Sequence, residues 1–117
     1  MSAQKRRRIL EIIATDSSFA EVEWRGRGAW LGKCLHCNTH LYVGLDGEPI
    51  SRATIEHIVP TWAGGADELP NLGIACSRCN ATKGARIDPR YPSSARAVEV
   101  VEKLMAKRRR RWREPSE

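Results

Sequence analysis

Several features that mark other protein classes are missing from this chain. Its 117 residues contain no apolar run near the ~20 residues that a membrane-spanning helix needs. The basic residues at positions 5–8 have no long apolar segment behind them, which argues against a secretory signal peptide. The sequence also has no internal repeat. These absences predict a single domain, residues 1–117, in an intracellular, cytoplasmic protein that has no membrane partner.

Cysteine is scarce, and all four copies fall into two C-x-x-C pairs, Cys34/Cys37 and Cys76/Cys79, with 38 residues between the pairs. Such pairs form either disulfides in a secreted mini-protein or a tetrathiolate zinc site. The two-residue spacing lets both thiolates of a pair face one tetrahedral ion. Because nothing in the sequence supports an oxidising compartment, we predict structural Zn²⁺.

The net charge of +6 is concentrated at the two ends of the chain. Residues 5–8 supply four cations and residues 107–113 supply six. Between residues 9 and 106, ten Lys and Arg stand against twelve Asp and Glu, which leaves a net charge of −2. Basic ends on a mildly acidic body favour binding to nucleic acid through its phosphates. The alternative is a pair of solvated arms that aid solubility.

Hydrophobic spacing and turn residues predict short elements. Residues 3–14 and 94–113 have helical spacing, the latter with four apolar side chains on one face: Val98, Val101, Leu104 and Met105. Residues 41–43 and 52–59 are typical of strands, and residues 71–76 of a strand or turn. Residues 77–83 predict a two-turn helix with Ser77 as N-cap and Gly84 as its stop. Residues 19–33 allow no firm assignment.

A set of polar residues surrounds the second cysteine pair. In chain order it comprises Glu56-His57, Gly64-Gly65, Asn71-Leu72 and Cys76-x-x-Cys79-Asn80-x-x-Lys83-Gly84. Over residues 34–86 this order closely resembles the HNH endonuclease family, in the zinc-containing branch with two C-x-x-C knuckles. The resemblance implies an α+β fold: a small ββα-metal core, stapled by the four-cysteine zinc site. Basic helical arms, residues 1–14 and 93–113, would flank that core.

The chemistry of these side chains suits phosphodiester hydrolysis. His57 can accept a proton from water, because imidazole titrates near neutral pH. Glu56 and Asn80 offer the oxygen ligands that Mg²⁺ takes, and such an ion neutralises charge on a scissile phosphate. The resemblance implies the same roles: His57 as general base, and Glu56 with Asn80 as ligands of a catalytic Mg²⁺ or Mn²⁺. It also implies that Asn71 pins the loop that orients His57.

The resemblance therefore predicts a metal-dependent endonuclease that acts on double-stranded DNA with weak sequence specificity. By analogy it suggests a phage or mobile-element setting, with DNA-packaging proteins as partners. We expect five basic residues to contact DNA: Lys83, Arg108, Arg109, Arg110 and Arg111. The alternative is a zinc-stapled nucleic-acid-binding module without catalysis. In that case His57 is a core histidine, Glu56 holds a nearby arginine, and Asn80 and Lys83 are surface groups.

Glu56 and His57 also pose a geometric problem. Neighbouring side chains of a regular strand point to opposite faces, so the two groups could not serve one site directly. If both act on one phosphate, the strand must twist or bulge before Pro60, or the metal must lie at its edge. A regular strand with the Glu56 carboxylate far from Asn80 would remove Glu56 from the metal site.

Overall fold

The computed structural model describes residues 2–86, 90 and 93–115, without the side chains of residues 84–86, and confirms the α+β fold class. Its helices and strands in this part of the chain are α1 (Ala3–Ala14), β1 (Ala20–Trp24), β2 (Arg27–Lys33), β3 (His40–Gly44), β4 (Ala53–His57), β5 (Leu72–Cys76), α2 (Ser77–Arg86) and α3 (Ala95–Arg110). None of the described helices is both long and apolar enough to cross a bilayer.

Strands β1, β2 and β3 form an antiparallel meander: β1 and β2 lie in residues 19–33, which the sequence left unassigned, and β3 confirms the strand predicted at residues 41–43. The β1–β2 hairpin turns at Arg25 and Gly26, which have φ values of 50° and 75°. Two-residue hairpins favour this left-handed backbone because its twist matches that of the flanking strands. The sequence did not indicate this turn, because arginine is uncommon at a position with positive φ.

Strands β4 and β5 form a second antiparallel sheet, and α2 follows β5 without a linker, which gives the ββα order. The pairing runs residue by residue from Ala53 opposite Cys76 to His57 opposite Leu72, so β4 has no bulge. The prediction that Gly84 ends α2 was wrong, because the helix continues to Arg86.

Helix α1 supplies part of the main core, in which Ile9, Ile12 and Ile13 are buried together with side chains from both sheets. Helix α3 packs on a second, smaller cluster around Leu35 and Ile58. Its contact residues are Val100, Val101, Leu104 and Met105. The predicted face was thus correct except at Val98, which is 42% exposed. Helix α3 begins at Ala95, two residues after the start of the predicted arm at residue 93, and Ser94 is its N-cap.

The C-terminal cations of α3 are largely built into the fold. Arg108 is 1% exposed and donates hydrogen bonds to the carbonyls of Leu72, Thr15 and Leu69 and to the Thr15 hydroxyl. Arg113 donates to the carbonyls of Ile13 and Ala14 in the last turn of α1. The arginines therefore join α3 to α1 and to the loop before β5.

Candidate active site and metal centre

The four cysteines form a compact cluster between the loop before β3 and the junction of β5 with α2. Their sulfur atoms all lie within 4.8 Å of one another, and none is in a disulfide. A tetrahedral ion with Zn–S bonds of ~2.3 Å requires sulfur atoms roughly 3.8 Å apart. Cys37 and Cys76 are separated by 4.0 Å, so the cluster has the dimensions and the ligand type of a structural metal site.

Backbone amides and side chains support the sulfur atoms. The amides of His36 and Cys76 donate to Cys34 Sγ, and the amide of Cys79 donates to Cys76 Sγ. Hydrogen bonding with the Thr39 hydroxyl lowers the pKa of the Cys37 thiol to about 6. Burial raises the pKa of Cys34 and of Cys79. A bound metal ion would stabilise the thiolate form of these cysteines.

Helix α3 braces the first cysteine pair. Lys107 Nζ donates to the carbonyl of His36 at 3.0 Å. Arg111 donates to the carbonyls of Lys33 and Cys34 and to the Asn38 side chain. Because these cations hold backbone on both sides of Cys34, the geometry of the metal cluster depends on the C-terminal helix.

His57 lies in an open cleft of about 230 Å³ at the end of β4. The other lining residues are Ile55, Pro60, Thr61, Trp62, Asn80 and Lys83. The imidazole is 30% exposed, and its Nε2 is 3.0 Å from Asp67 Oδ1. A solvent-accessible imidazole held by a carboxylate can take a proton from water while the carboxylate fixes the orientation of the ring.

Asn80 lies on the first turns of α2 and faces β4. Its Nδ2 donates to the Thr54 hydroxyl at 3.3 Å and to the Ile55 carbonyl at 3.4 Å. With the amide nitrogen directed at the strand, Oδ1 accepts no hydrogen bond from the described residues. Cys79 precedes Asn80 directly, so the cysteine cluster fixes where the helix places this amide oxygen.

Asn71 is 7% exposed and spans the loop between β4 and β5. Its Oδ1 accepts from the Val59 amide, and its Nδ2 donates to the carbonyls of Val59 and Ala66. Gly65 lets this loop close, because a Cβ at that position would lie 1.8 Å from the Val59 carbonyl oxygen. The loop that carries Asp67 is therefore held at a fixed distance from His57.

Glu56 leaves β4 on the side opposite to His57 and is fully buried. Its Oε1 forms a short hydrogen bond with His36 Nε2. Its Oε2 is 3.4 Å from Lys83 Nζ, close enough for an ion pair, and it has no hydrogen-bond partner among the described residues. Strand β4 pairs with β5 without a bulge, so Glu56 and His57 point to opposite faces of the strand. His57 lines the cleft, and Glu56 does not.

Mg²⁺ and Mn²⁺ bind hard oxygen ligands, and the side chains of Glu56 and Asn80 each offer such an oxygen. Glu56 Oε2 is a buried carboxylate oxygen without a hydrogen-bond partner in the described part of the chain. Glu56 and Thr54 both contact α2, through Lys83 and Asn80 respectively. Both side chains offer the type of oxygen that such ions take, but their surroundings differ: Asn80 lines the cleft, whereas Glu56 is fully buried and does not. The Lys83 ammonium now lies beside Oε2, so a cation and the ammonium would compete for it.

The five basic residues that we expected on DNA have different environments. Lys83 is 5% exposed and donates to the His57 carbonyl at 2.6 Å. Burial lowers the pKa of its ammonium, and the Glu56 carboxylate opposes that shift. Arg108 is buried, and Arg111 is held at the cysteine cluster. Burial of Lys83 and Arg108 argues against DNA contact by these two side chains, whereas Arg111 is partly exposed and Arg109 and Arg110 are exposed, so for these three the expectation stays a prediction.

Sequence reasoning missed two members of this region. Asp67 lies in the loop after the double glycine, and neither Asp67 nor the adjacent Glu68 has a distinctive spacing. His36 lies inside the first cysteine pair, and no sequence motif linked it to Glu56, with which it forms a hydrogen bond. The useful signal was the alternation of side chains along the strand, which places Glu56 on the face opposite to His57. A carboxylate that is buried there needs cationic or hydrogen-bond-donating partners.

Comparison with known families agrees with the motif. Residues 46–94, about two fifths of the chain, match the model of a family described as HNH endonuclease. The match includes Glu56, His57, Asn71, Asn80 and the second cysteine pair, and it leaves Cys34 and Cys37 outside. Searches among curated proteins and among solved structures found no match. The family resemblance is thereby confirmed, and the cysteine cluster adds the first pair to the matched segment.

Proposed function

We propose, from the HNH endonuclease match together with the His57 cleft, that this chain is a metal-dependent endonuclease. It would hydrolyse phosphodiester bonds of double-stranded DNA. The observation that carries the proposal is the accessible His57 imidazole, bonded to Asp67 and placed across an open cleft from Asn80. A histidine serving only as core packing would be expected to be buried and fully paired.

In this mechanism His57 acts as general base and removes a proton from the attacking water. Asp67 holds the imidazole and stabilises the positive charge that develops on it. Asn71 keeps the loop in place through its three backbone hydrogen bonds. The 3′ oxygen of the cleaved strand is the leaving group that the family resemblance implies.

Glu56 and Asn80 would hold the catalytic Mg²⁺ or Mn²⁺. When bound, this ion would neutralise charge on the phosphate and on the leaving oxygen. The chain's own contribution is to leave Asn80 Oδ1 without a hydrogen bond from the described residues, and Glu56 binds the ion only if the Lys83 ammonium moves away from the buried Oε2. The four cysteines would hold structural Zn²⁺, because a closed set of thiolates prefers that ion.

The setting of the enzyme belongs to the same proposal. The chain would form one domain, residues 1–117, with the catalytic core at residues 34–86, and would act in the cytoplasm. Its preference for DNA sequence would be weak, because most of its contacts would be made to phosphates. A phage or mobile-element role with DNA-packaging partners is the family analogy. The alternative function is a zinc-stapled DNA-binding module without catalysis.

Replacement of the base tests the proposed function. Wild-type protein and the variant His57→Ala are incubated with supercoiled plasmid, with Mg²⁺ or Mn²⁺ present or withheld. We expect wild type to nick or linearise the plasmid only with a divalent cation, and we expect His57→Ala to lose at least ~100-fold in rate. Zinc content should be the same in both proteins, since His57 does not contact the cysteine cluster.

His40→Ala is the matched control, because His40 is an exposed histidine on β3, outside the cleft. This variant should cut at the wild-type rate. Equal activity of wild type and His57→Ala would exclude His57 as the base. DNA binding without cutting by wild type, at every metal and pH tested, would favour the non-catalytic module.

A further inference from the structure

A second cleft, of about 510 Å³, adjoins the His57 cleft on the side of helix α1. Its charged lining residues are Lys5, Arg7, Arg8, Glu11 and Asp67. Ile55 lines both clefts, and Asp67 lines this one while its carboxylate holds the His57 ring. The surface of α1 is therefore continuous with the site at which we propose cleavage.

Arg8 fixes α1 to the His57 loop. Its guanidinium donates to the Asp67 carbonyl and forms an ion pair with Glu11 at 3.4 Å. The contacts with Asp67 and Glu11 engage the Arg8 guanidinium, so we assign Arg8 a structural role. These contacts also set the distance between α1 and His57, so other cations on the helix have a defined position relative to the cleft.

Lys5 and Arg7 are exposed and differ from Arg8 in having no acidic partner among the described residues. Glu11 and Asp67, the acidic groups that face the cleft, are both engaged with other side chains. Within the described part of the chain, Lys5 and Arg7 thus have free positive charges beside the site at which we propose cleavage. Such charges can bind the phosphates of a DNA strand that extends beyond the scissile bond.

We propose that the DNA strand cut at His57 continues across Ile55 onto α1, where Lys5 and Arg7 bind neighbouring phosphates. This proposal rests on the proposed function and assigns the DNA track to the N-terminal helix. It replaces the C-terminal arginines as the main phosphate contacts, since most of those hold backbone carbonyls. The contacts would be independent of base sequence.

The salt dependence of binding tests this assignment. Full-length protein with His57→Ala, which prevents cutting, is compared with the same protein carrying Lys5→Ala and Arg7→Ala. Affinity for a fluorescent DNA duplex is measured by anisotropy at increasing salt. Each lost phosphate contact should reduce the slope of log K against log salt by ~0.9, so the double variant should lose roughly 2 units of slope. Neither side chain makes a described contact, so the fold should persist.

The matched control removes Arg27 and Lys33, two exposed cations of β2 with the same total charge that line neither cleft. Its salt slope should stay within experimental error of the parent. An unchanged slope for the α1 variant, or an equal loss in the control, would overturn the assignment. Plasmid cutting by wild type is scored separately. A chain that never cuts would refute the proposed function, whereas the slopes report on the DNA track alone.

Discussion

Glu56 and His57 are adjacent in the chain and meet different surroundings because β4 is a regular strand. Alternation sends the carboxylate towards α2 and the imidazole into the open cleft. The motif predicted which residues matter, since their spacing is local. It could not predict that His36 and Lys83 hold Glu56, because both arrive from other parts of the chain.

Asp67 is the positioning residue that the sequence did not single out. Its carboxylate is 3.0 Å from His57 Nε2, and the residue is otherwise exposed. We expect Asp67→Asn to lower kcat by roughly tenfold or more, because an amide holds and stabilises a protonated imidazole less well. KM for DNA should change little. The measurement is single-turnover and steady-state cleavage of a labelled duplex.

Two companion variants make the Asp67 test specific. Asp67→Glu keeps the carboxylate and should recover part of the lost kcat. Glu68→Gln changes the exposed neighbour and should leave kcat unaltered. A loss confined to KM, or equal losses for Asp67→Asn and Asp67→Glu, would show that Asp67 supports loop structure or DNA binding instead.

Helix α3 shows how a run of charge can be mistaken for a solvated arm. Arg108 and Arg111 follow Leu104 at helical positions i+4 and i+7, so they continue its buried face. The sequence therefore did contain a signal, which the density of positive charge obscured. Most of their hydrogen-bond partners are backbone carbonyls. A search of the sequence for pairs of opposite charges does not identify such partners. Deleting residues 107–117 would remove this joint, so it would report on folding as well as on DNA binding.

Arg108 provides the stability test at this scale. Burial lowers the pKa of its guanidinium, with Asp16 opposing the shift, and the arginine stays charged. We expect Arg108→Ala to reduce the free energy of unfolding by about 3 kcal/mol, because buried carbonyls of Leu72 and Thr15 lose their donor. Urea denaturation followed by circular dichroism measures the change.

The exposed neighbour Arg109 is the control for Arg108. Arg109→Ala should change the free energy of unfolding by less than about 0.5 kcal/mol. If both variants have the same stability, the buried arginine is not the joint between α3, α1 and the loop before β5.

At the scale of the molecule, the cysteine cluster lies at the edge of the main core and connects segments that are distant in the sequence. It ties the segment before β3 to the β5–α2 junction, and α3 braces it through Lys107 and Arg111. The two C-x-x-C pairs predicted this connection because their chemistry tolerates few alternatives. The β1–β2 hairpin was not predictable in the same way, since the glycines and tryptophans of residues 19–33 fit several local structures.

Removal of zinc should therefore destabilise the whole chain. We expect a strong chelator to release one zinc ion per chain and to lower the thermal midpoint, with recovery when Zn²⁺ is added back. Zinc release is followed with a colorimetric indicator, and unfolding by circular dichroism. An identical midpoint for zinc-loaded and zinc-free protein would show that the cluster is not a structural metal site.

The most direct test of the central claim is the chemistry of the DNA ends. Zinc-loaded wild-type protein is incubated with a labelled duplex and Mg²⁺ or Mn²⁺, and the products are examined for 5′-phosphate and 3′-hydroxyl termini. The account predicts cation-dependent cleavage that yields these ends, as hydrolysis with a 3′-oxygen leaving group requires. A duplex that is bound but stays intact under all metal and pH conditions would contradict it.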